Sequence, residues 1–159
     1  MNNWKQLDVA HYTRVWDFVY KNLDFKPYNE PNSIINVSSK SLFFDISEYY
    51  NEGFKEELYE NLHCNVLNCF REIHEDLLYA LNWQHDCYSF SPNQPFELDE
   101  FGEWIIPVFP NGDYIFFLTK SLEEGIFADG INCSIVFFGE RLIDSLMENM
   151  PKMFIKKNV

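Results

Sequence analysis

Glycine, cationic side chains and long apolar runs are all scarce in this chain, and each scarcity excludes something. The six glycines are scattered, and none forms the G-x-x-x-x-G-K-[ST] or G-x-G-x-x-G loop that cradles a phosphate. Twelve Lys and Arg stand against 25 Asp and Glu, so the basic clusters that contact a phosphate backbone are missing and direct nucleic-acid binding is disfavoured. No run of about eighteen apolar residues is available to cross a bilayer as a helix, so no membrane is expected as a partner. The opening MNNWKQLDVAHYTRVW lacks the basic region and apolar core of a secretory signal. Cys64, Cys69, Cys87 and Cys133 show no disulfide framework, and a cytoplasmic protein with reduced thiols is expected.

What is present is a large stock of rings and acids. Length, at 159 residues, suits a single domain spanning 1–159. A chain of this size buries roughly 70% of its unfolded surface without needing a metal or a disulfide. Its 16 Phe, 9 Tyr and 4 Trp supply the core. The net charge is −13, and it is unevenly placed. Between Asp45 and Glu103 fourteen carboxylates face two cations, Lys55 and Arg71. An acidic face of this kind keeps a protein in solution and also steers a basic partner by long-range attraction.

Periodicity divides the chain. Tyr12, Val15, Trp16, Val19 and Leu23 line one face of a first helix, with Asp8 as its N-cap and Pro27 beyond its end. Ile35, Val37 and Leu42 to Ile46 suggest one or two strands. From Asn51 to about Asp76 a second helix is predicted by the stripe Phe54, Leu58, Leu62, Val66, Cys69, Ile73 and Leu77. Glu56, Glu57 and Glu60 lie beside that stripe. LYALNW and CYSF are candidate strands, and NQPFELDEFGE is an acidic loop. WIIPVF and YIFFLT, joined through Asn111-Gly112, read as a β-hairpin. A loop containing Gly125 and Gly130 leads to the strand CSIVFF, and ERLIDSLMENM is a closing helix with Leu142, Leu146 and Met150 on one face. Strand runs joined by short turns predict an α+β fold, an antiparallel sheet of about five or six strands with three helices packed on it.

Chemistry-bearing residues do not assemble into a motif. His63, Cys64, Cys69, His74, His85 and Cys87 lie close in sequence, but Cys64 and Cys69 on a helix point about 140° apart. Cys69 belongs to the apolar stripe, so neither a metal nor a cofactor is expected. There is no sharp-turn nucleophile motif. Carboxylates are too many for any pair to be singled out, so no catalytic residue is assigned and the chain does not read as an enzyme.

The strings YALNWQHDCYSFSP, WIIPVFPNGDYIFFLTKSLEEGIF and CSIVFFGERLI, in that order, resemble a small bacterial family known only as a domain of unknown function. The resemblance covers Leu78 to Ile143 and, more loosely, the first helix. WQH and PVFPNGDYIFF are its specific parts. Where family members often carry a Gly-His-Pro-Trp-like run after the hairpin, this chain has Ala128-Asp129-Gly130-Ile131. A second, topological likeness is to the SMI1/KNR4-type immunity domains, through a Pro–Phe strand, a Gly-Asp turn, an aromatic strand, a further strand and a closing helix.

Small size, one domain, a concentrated acidic stretch and no catalytic motif together suggest an immunity protein that neutralises a basic bacterial toxin domain, a nuclease. Such an inhibitor mimics the polyanionic substrate and anchors itself with aromatics. The contact residues expected are Glu56, Glu57 and Glu60 on the helix and Asp99, Glu100 and Glu103 on the loop. Tyr49, Tyr50 and Phe101 are the expected anchors. The alternative is a small-molecule sensor or enzyme with an aromatic pocket around Trp83 and His85, lined also by Trp104 and Tyr114. A scaffold subunit with a large apolar surface is the third reading.

Overall fold

The computed structural model describes residues 3–51, 55–95 and 98–155. Among the described residues seven strands form one sheet: β1 (Lys5–Gln6), β2 (Ser41–Asp45), β3 (Leu78–Asn82), β4 (Tyr88–Phe90), β5 (Tyr114–Thr119), β6 (Gly125–Asp129) and β7 (Ser134–Phe138). Their order is β1-β4-β3-β5-β6-β7-β2, and every neighbouring pair is antiparallel. The helices are α1 (Val9–Asn22), the single turn α2 (Glu48–Asn51), α3 (Glu56–Glu72) and α4 (Glu140–Glu148), followed by a 3-10 turn at Lys152–Phe154. The α+β class and the antiparallel sheet agree with the sequence pattern.

Both sheet faces are covered, which is why the central strands read as continuous apolar runs rather than as alternating ones. Every residue of β5, β6 and β7 is buried. Alternate residues serve two separate cores. Ile115, Phe117, Ile126, Ala128, Ile135 and Phe137 pack with Leu62, Val66, Cys69 and Phe70 of α3 and Leu142 and Leu146 of α4. Tyr114, Phe116, Leu118, Phe127, Val136 and Phe138 pack with Val15, Trp16 and Val19 of α1 and with Phe25 and Ile34 from the segment after it.

Local signals set several boundaries. The Asp8 carboxylate accepts the N–H of His11 at 2.8 Å, so the predicted cap forms. The His11 N–H and ring nitrogen hold the Asp8 carboxyl below its ordinary pKa. Helix α3 stops earlier than its apolar stripe suggests. His74 adopts φ +60°, Glu75 N–H bonds to the Phe70 carbonyl and His74 N–H to that of Arg71, a Schellman closure. Leu77 therefore lies beyond the helix, and Phe54 lies outside the described residues.

Two further expectations are corrected. WIIPVF is not a hairpin arm, because both edges of β5 are occupied, by β3 and β6. Residues 104–110 instead run as an extended strap along the α3 side, where Trp104, Ile106 and Val108 are buried in the core. Pro107 and Pro110 have no N–H to give a ladder, while the N–H of Val108 goes to Nε2 of His63 at 2.9 Å. The stretch after Gly125 is strand β6, not loop. A Cβ on Gly125 would meet the Phe117 carbonyl and the Leu118 side chain, so this glycine lets β6 approach β5.

Buried polar groups pin the junctions. Asp129 is fully buried; its Oδ1 accepts the N–H groups of Ile131 and Asn132, both at 2.9 Å, and its Oδ2 accepts the Asn132 amide at 2.8 Å. This closes the β6–β7 turn as an Asx turn. Helix α4 begins at Gly139, φ +105°, which has no side chain to cap it. Glu124, from the β5–β6 turn, supplies the anion there: one oxygen accepts the Leu142 N–H at 2.9 Å and the other bonds Arg141 at 2.6 Å. A side chain at position 139 would collide with Glu124.

Candidate functional site

The first turn of α3 carries Glu56 and Glu57, and Glu60 follows one turn on; all three are exposed. Acids at a helix N-terminus are favoured by the helix dipole, so this end of α3 can hold them at little local cost. The loop 98–103 is shaped by Asp99. Its Oδ1 accepts the N–H groups of Phe101 and Glu103 at 2.9 and 3.0 Å, and its own N–H bonds the Glu103 carbonyl at 2.7 Å. Gly102 completes the turn with φ +75°. The closed loop lifts Phe101 into solvent at 79% exposure, with Leu98 half-exposed beside it.

Tyr59 of α3 is half-buried. Its hydroxyl pKa is raised first by burial and then by the negative charges of Glu103 and Asp99. The ring of Tyr59 lies 4.3 Å from His63, and His63 lies 4.6 Å from Trp104. His63 is itself buried, with Nδ1 bonded to the Tyr59 carbonyl at 2.8 Å and Nε2 accepting from Val108. Nδ1 is therefore the protonated nitrogen of a neutral ring. Burial pulls the His63 pKa down to about 4. The strap, and the acidic loop leading into it, are thus fastened to α3 by one imidazole.

Glu56, Glu57 and Glu60 on α3 and Glu100, Phe101 and Glu103 on the loop are exposed, and Asp99 is half-buried. Tyr49 and Tyr50 are placed differently. Both are half-buried, with the Tyr49 hydroxyl donating to the Met153 carbonyl at 2.8 Å and the Tyr50 hydroxyl to that of Pro110. Tyr50 also stacks on Phe109 at 5.0 Å. Tyr50 supports the strap from within, and Tyr49 ties α2 to the 3-10 turn at Lys152–Phe154. Leu98, half-exposed on the loop 98–103, was not singled out in the sequence; an apolar residue flanked by acids in a loop was the available signal.

The four residues of the expected aromatic pocket do not converge. Trp104 belongs to the core on the α3 side, Tyr114 to the core on the α1 side. Trp83 packs ring against ring with Tyr114 at 5.7 Å and Phe25 at 6.2 Å, and its indole N–H donates to the Tyr20 hydroxyl at 2.7 Å. His85 is exposed, 3.9 Å from Asp113. Burial raises the Cys69 thiol to about 12 and the Cys87 thiol in the same direction, which suppresses their thiolate forms. Across the groove between α3 and α4, Glu72 and Glu148 face one another; their contact lowers the pKa of the first and raises that of the second. Ser145 and Asn149 both donate to Glu72. Among the described residues no group of three or more His, Cys, Asp or Glu is placed to hold a metal ion, and no helix is long and apolar enough to cross a membrane.

Fold and surface together define an α+β protein with one doubly covered antiparallel sheet and with exposed acids on α3 and on the loop at 98–103. The chain belongs to the bacterial family described as "Protein of unknown function (DUF2716)", whose model matches residues 6–143. It is 37% identical over 163 residues to "Uncharacterized protein YxiI" of Bacillus subtilis (strain 168), an alignment covering 99% of this chain and 100% of that one. No solved structure matches it.

Proposed function

We propose that this is an immunity protein, acting in the cytoplasm, that binds and neutralises a basic bacterial toxin domain, a nuclease, through the acidic side formed by α3 and residues 98–103. The observation that supports this reading is the set of exposed carboxylates on α3 and on the loop 98–103, together with one exposed ring. Glu56, Glu57 and Glu60 are exposed on α3, and Glu100 and Glu103 are exposed on the closed loop that presents Phe101 at 79% exposure. Large exposed rings are unfavourable in water, and ringed by charge they make a binding anchor. The carboxylates supply fast, salt-sensitive association, while the ring supplies slow release. A nuclease cleft is basic because its substrate is polyanionic, so a rigid row of carboxylates competes for the same cations.

The test is retention of host proteins on the immobilised chain across a salt series, followed by a nuclease assay of whatever is retained. A basic protein retained at low salt, released as salt rises, and inhibited at one equivalent supports the reading. Retention of no macromolecule at any salt concentration, or of one whose nuclease activity is unaffected, counts against it.

A further inference from the structure

One end of the sheet carries a second group of exposed side chains, which shares no residue with the acids of α3 and the loop 98–103. It is assembled from the β3–β4 turn at 83–86, the start of β5 at Asp113, the β6–β7 turn and the segment that follows α1. Tyr28, Trp83 and Tyr114 meet there at 5.7 to 5.9 Å with interplanar angles of 66° to 78°. Tyr114 is buried, whereas Tyr28 is 72% exposed. The outer faces of Tyr28 and Trp83 are therefore the part of this ring cluster open to a partner.

Tyr28 sits there against its own backbone preference. Its φ is +68°, and the neighbouring Gln84, also exposed, has φ +66°. An L residue in that region is disfavoured relative to glycine. Burial does not compensate Tyr28, because most of its ring faces water. Its N–H is anchored by the Tyr114 hydroxyl at 2.7 Å, a bond a glycine would make equally well. The ring of Tyr28 adds to that bond its edge contacts with Trp83 and Tyr114 at 5.8 and 5.9 Å.

The charged side chains in the turns around these rings are mostly acidic, and one of them, Asp113, also lies 3.9 Å from His85 and accepts from the Asn82 amide at 3.3 Å. Glu30, Asp86 and Asp113 stand in the surrounding turns, and the stretches 83–86, 110–113 and 130–133 contain no Lys or Arg. Lys26, the nearby cation, is paired with Asp24 at 3.3 Å. Ring faces attract cations through their quadrupole, and adjacent carboxylates add to that attraction. We propose that Tyr28 and Trp83, framed by Glu30, Asp86 and Asp113, form a binding site for a guanidinium or ammonium side chain of a basic protein partner. The site shares with the proposed function only the basic character of that partner, and uses none of the same residues.

Amide and indole NMR spectra of the full chain, titrated with a capped Gly-Arg-Gly-Arg-Gly peptide at low salt, test it. The Trp83 indole N–H and the amides of Tyr28 and Gln84 are expected to shift saturably, and a capped Gly-Gln-Gly-Gln-Gly peptide should leave them in place. Tyr28→Gly suits the backbone at this position, so its unfolding midpoint should equal or exceed that of the parent while peptide binding weakens about threefold or more. Asp113→Asn should weaken binding in the same direction. Unmoved resonances at 28 and 83–86, equal shifts with the glutamine peptide, or undiminished binding by Tyr28→Gly would each overturn the site. Shifts confined to 56–60 and 98–103 would also overturn it, while leaving the acidic-patch reading intact.

Discussion

The carboxylates of this chain divide into two populations that the charge count does not distinguish. Asp129 and Glu124, at opposite ends of β6, are buried, and every oxygen of theirs described above accepts from a named donor. Glu56, Glu57, Glu60, Glu100 and Glu103 are exposed. The first population holds turns and a helix end in place, and the second shapes the field outside the molecule. Asp99 belongs to both, since it is half-buried and closes the loop that presents Phe101. A carboxylate's role follows from what donates to it, not from how many acids lie near it in sequence.

The sharpest break in this comparison is Asp129→Ala. Removing the carboxylate leaves the N–H groups of Ile131 and Asn132 without their acceptor, while the Asn132 amide keeps the Asn29 carbonyl at 3.1 Å, so a loss of about 3 to 4 kcal/mol is expected in urea unfolding. A loss under about 1 kcal/mol would mean that the turn closes without it.

Next in size is the acid sensitivity set by His63. Its pKa is about 4 in the folded protein against about 6.5 in an unfolded chain. Between those values the unfolded chain binds more protons, so this contribution is complete above about pH 6.5 and is lost as pH falls toward 4. A separation of that size amounts to about 3 kcal/mol. Urea midpoints should therefore drop through this window, because a protonated Nε2 opposes the Val108 N–H instead of accepting it. His63→Gln should flatten that limb of the pH profile; an unchanged slope in the variant would remove His63 from the account.

Phe101→Ala sharpens the other side of the comparison. Stability should be unchanged, since the ring packs mostly against water, whereas affinity for a toxin partner should fall by about 2 kcal/mol, measurable by calorimetry. The smallest effect is reserved for Glu56→Gln, Glu57→Gln and Glu60→Gln combined. Thermal midpoints should stay within about 2 °C or rise slightly as repulsion is relieved. The association rate and its salt dependence should decrease. A large loss of stability in this triple variant would move these residues into the structural population.

Much of the architecture was legible in the residues because local chemistry carries it. The Asp8 cap, the faces of α1 and α4, and strands β3, β4, β5 and β7 follow from spacing and turn residues. Misreadings occurred where partners decided the outcome. The strap at 104–110 alternates buried and half-buried residues as a strand does, but an edge of β5 was not free to receive it. Strand β6, bracketed by Gly125 and Gly130, looked like loop because the first glycine serves a close backbone approach. Tyr49 and Tyr50 looked like anchors, yet half-buried hydroxyls find carbonyls at Met153 and Pro110. Nothing in the chain's order signals that Tyr28 would take a left-handed backbone and still keep its ring outside.

Composition and periodicity alone determined the α+β class, an antiparallel sheet with helices packed on it, and an acidic middle third, because burial patterns and net charge are properties each segment carries with it. Tertiary structure alone decided that the strap at 104–110 runs beside α3, that His63 fastens it, and that Tyr28 and Trp83 meet at one end of the sheet. Those outcomes depend on which segments compete for the same edge, face or donor, and that competition is settled only when the whole chain is assembled.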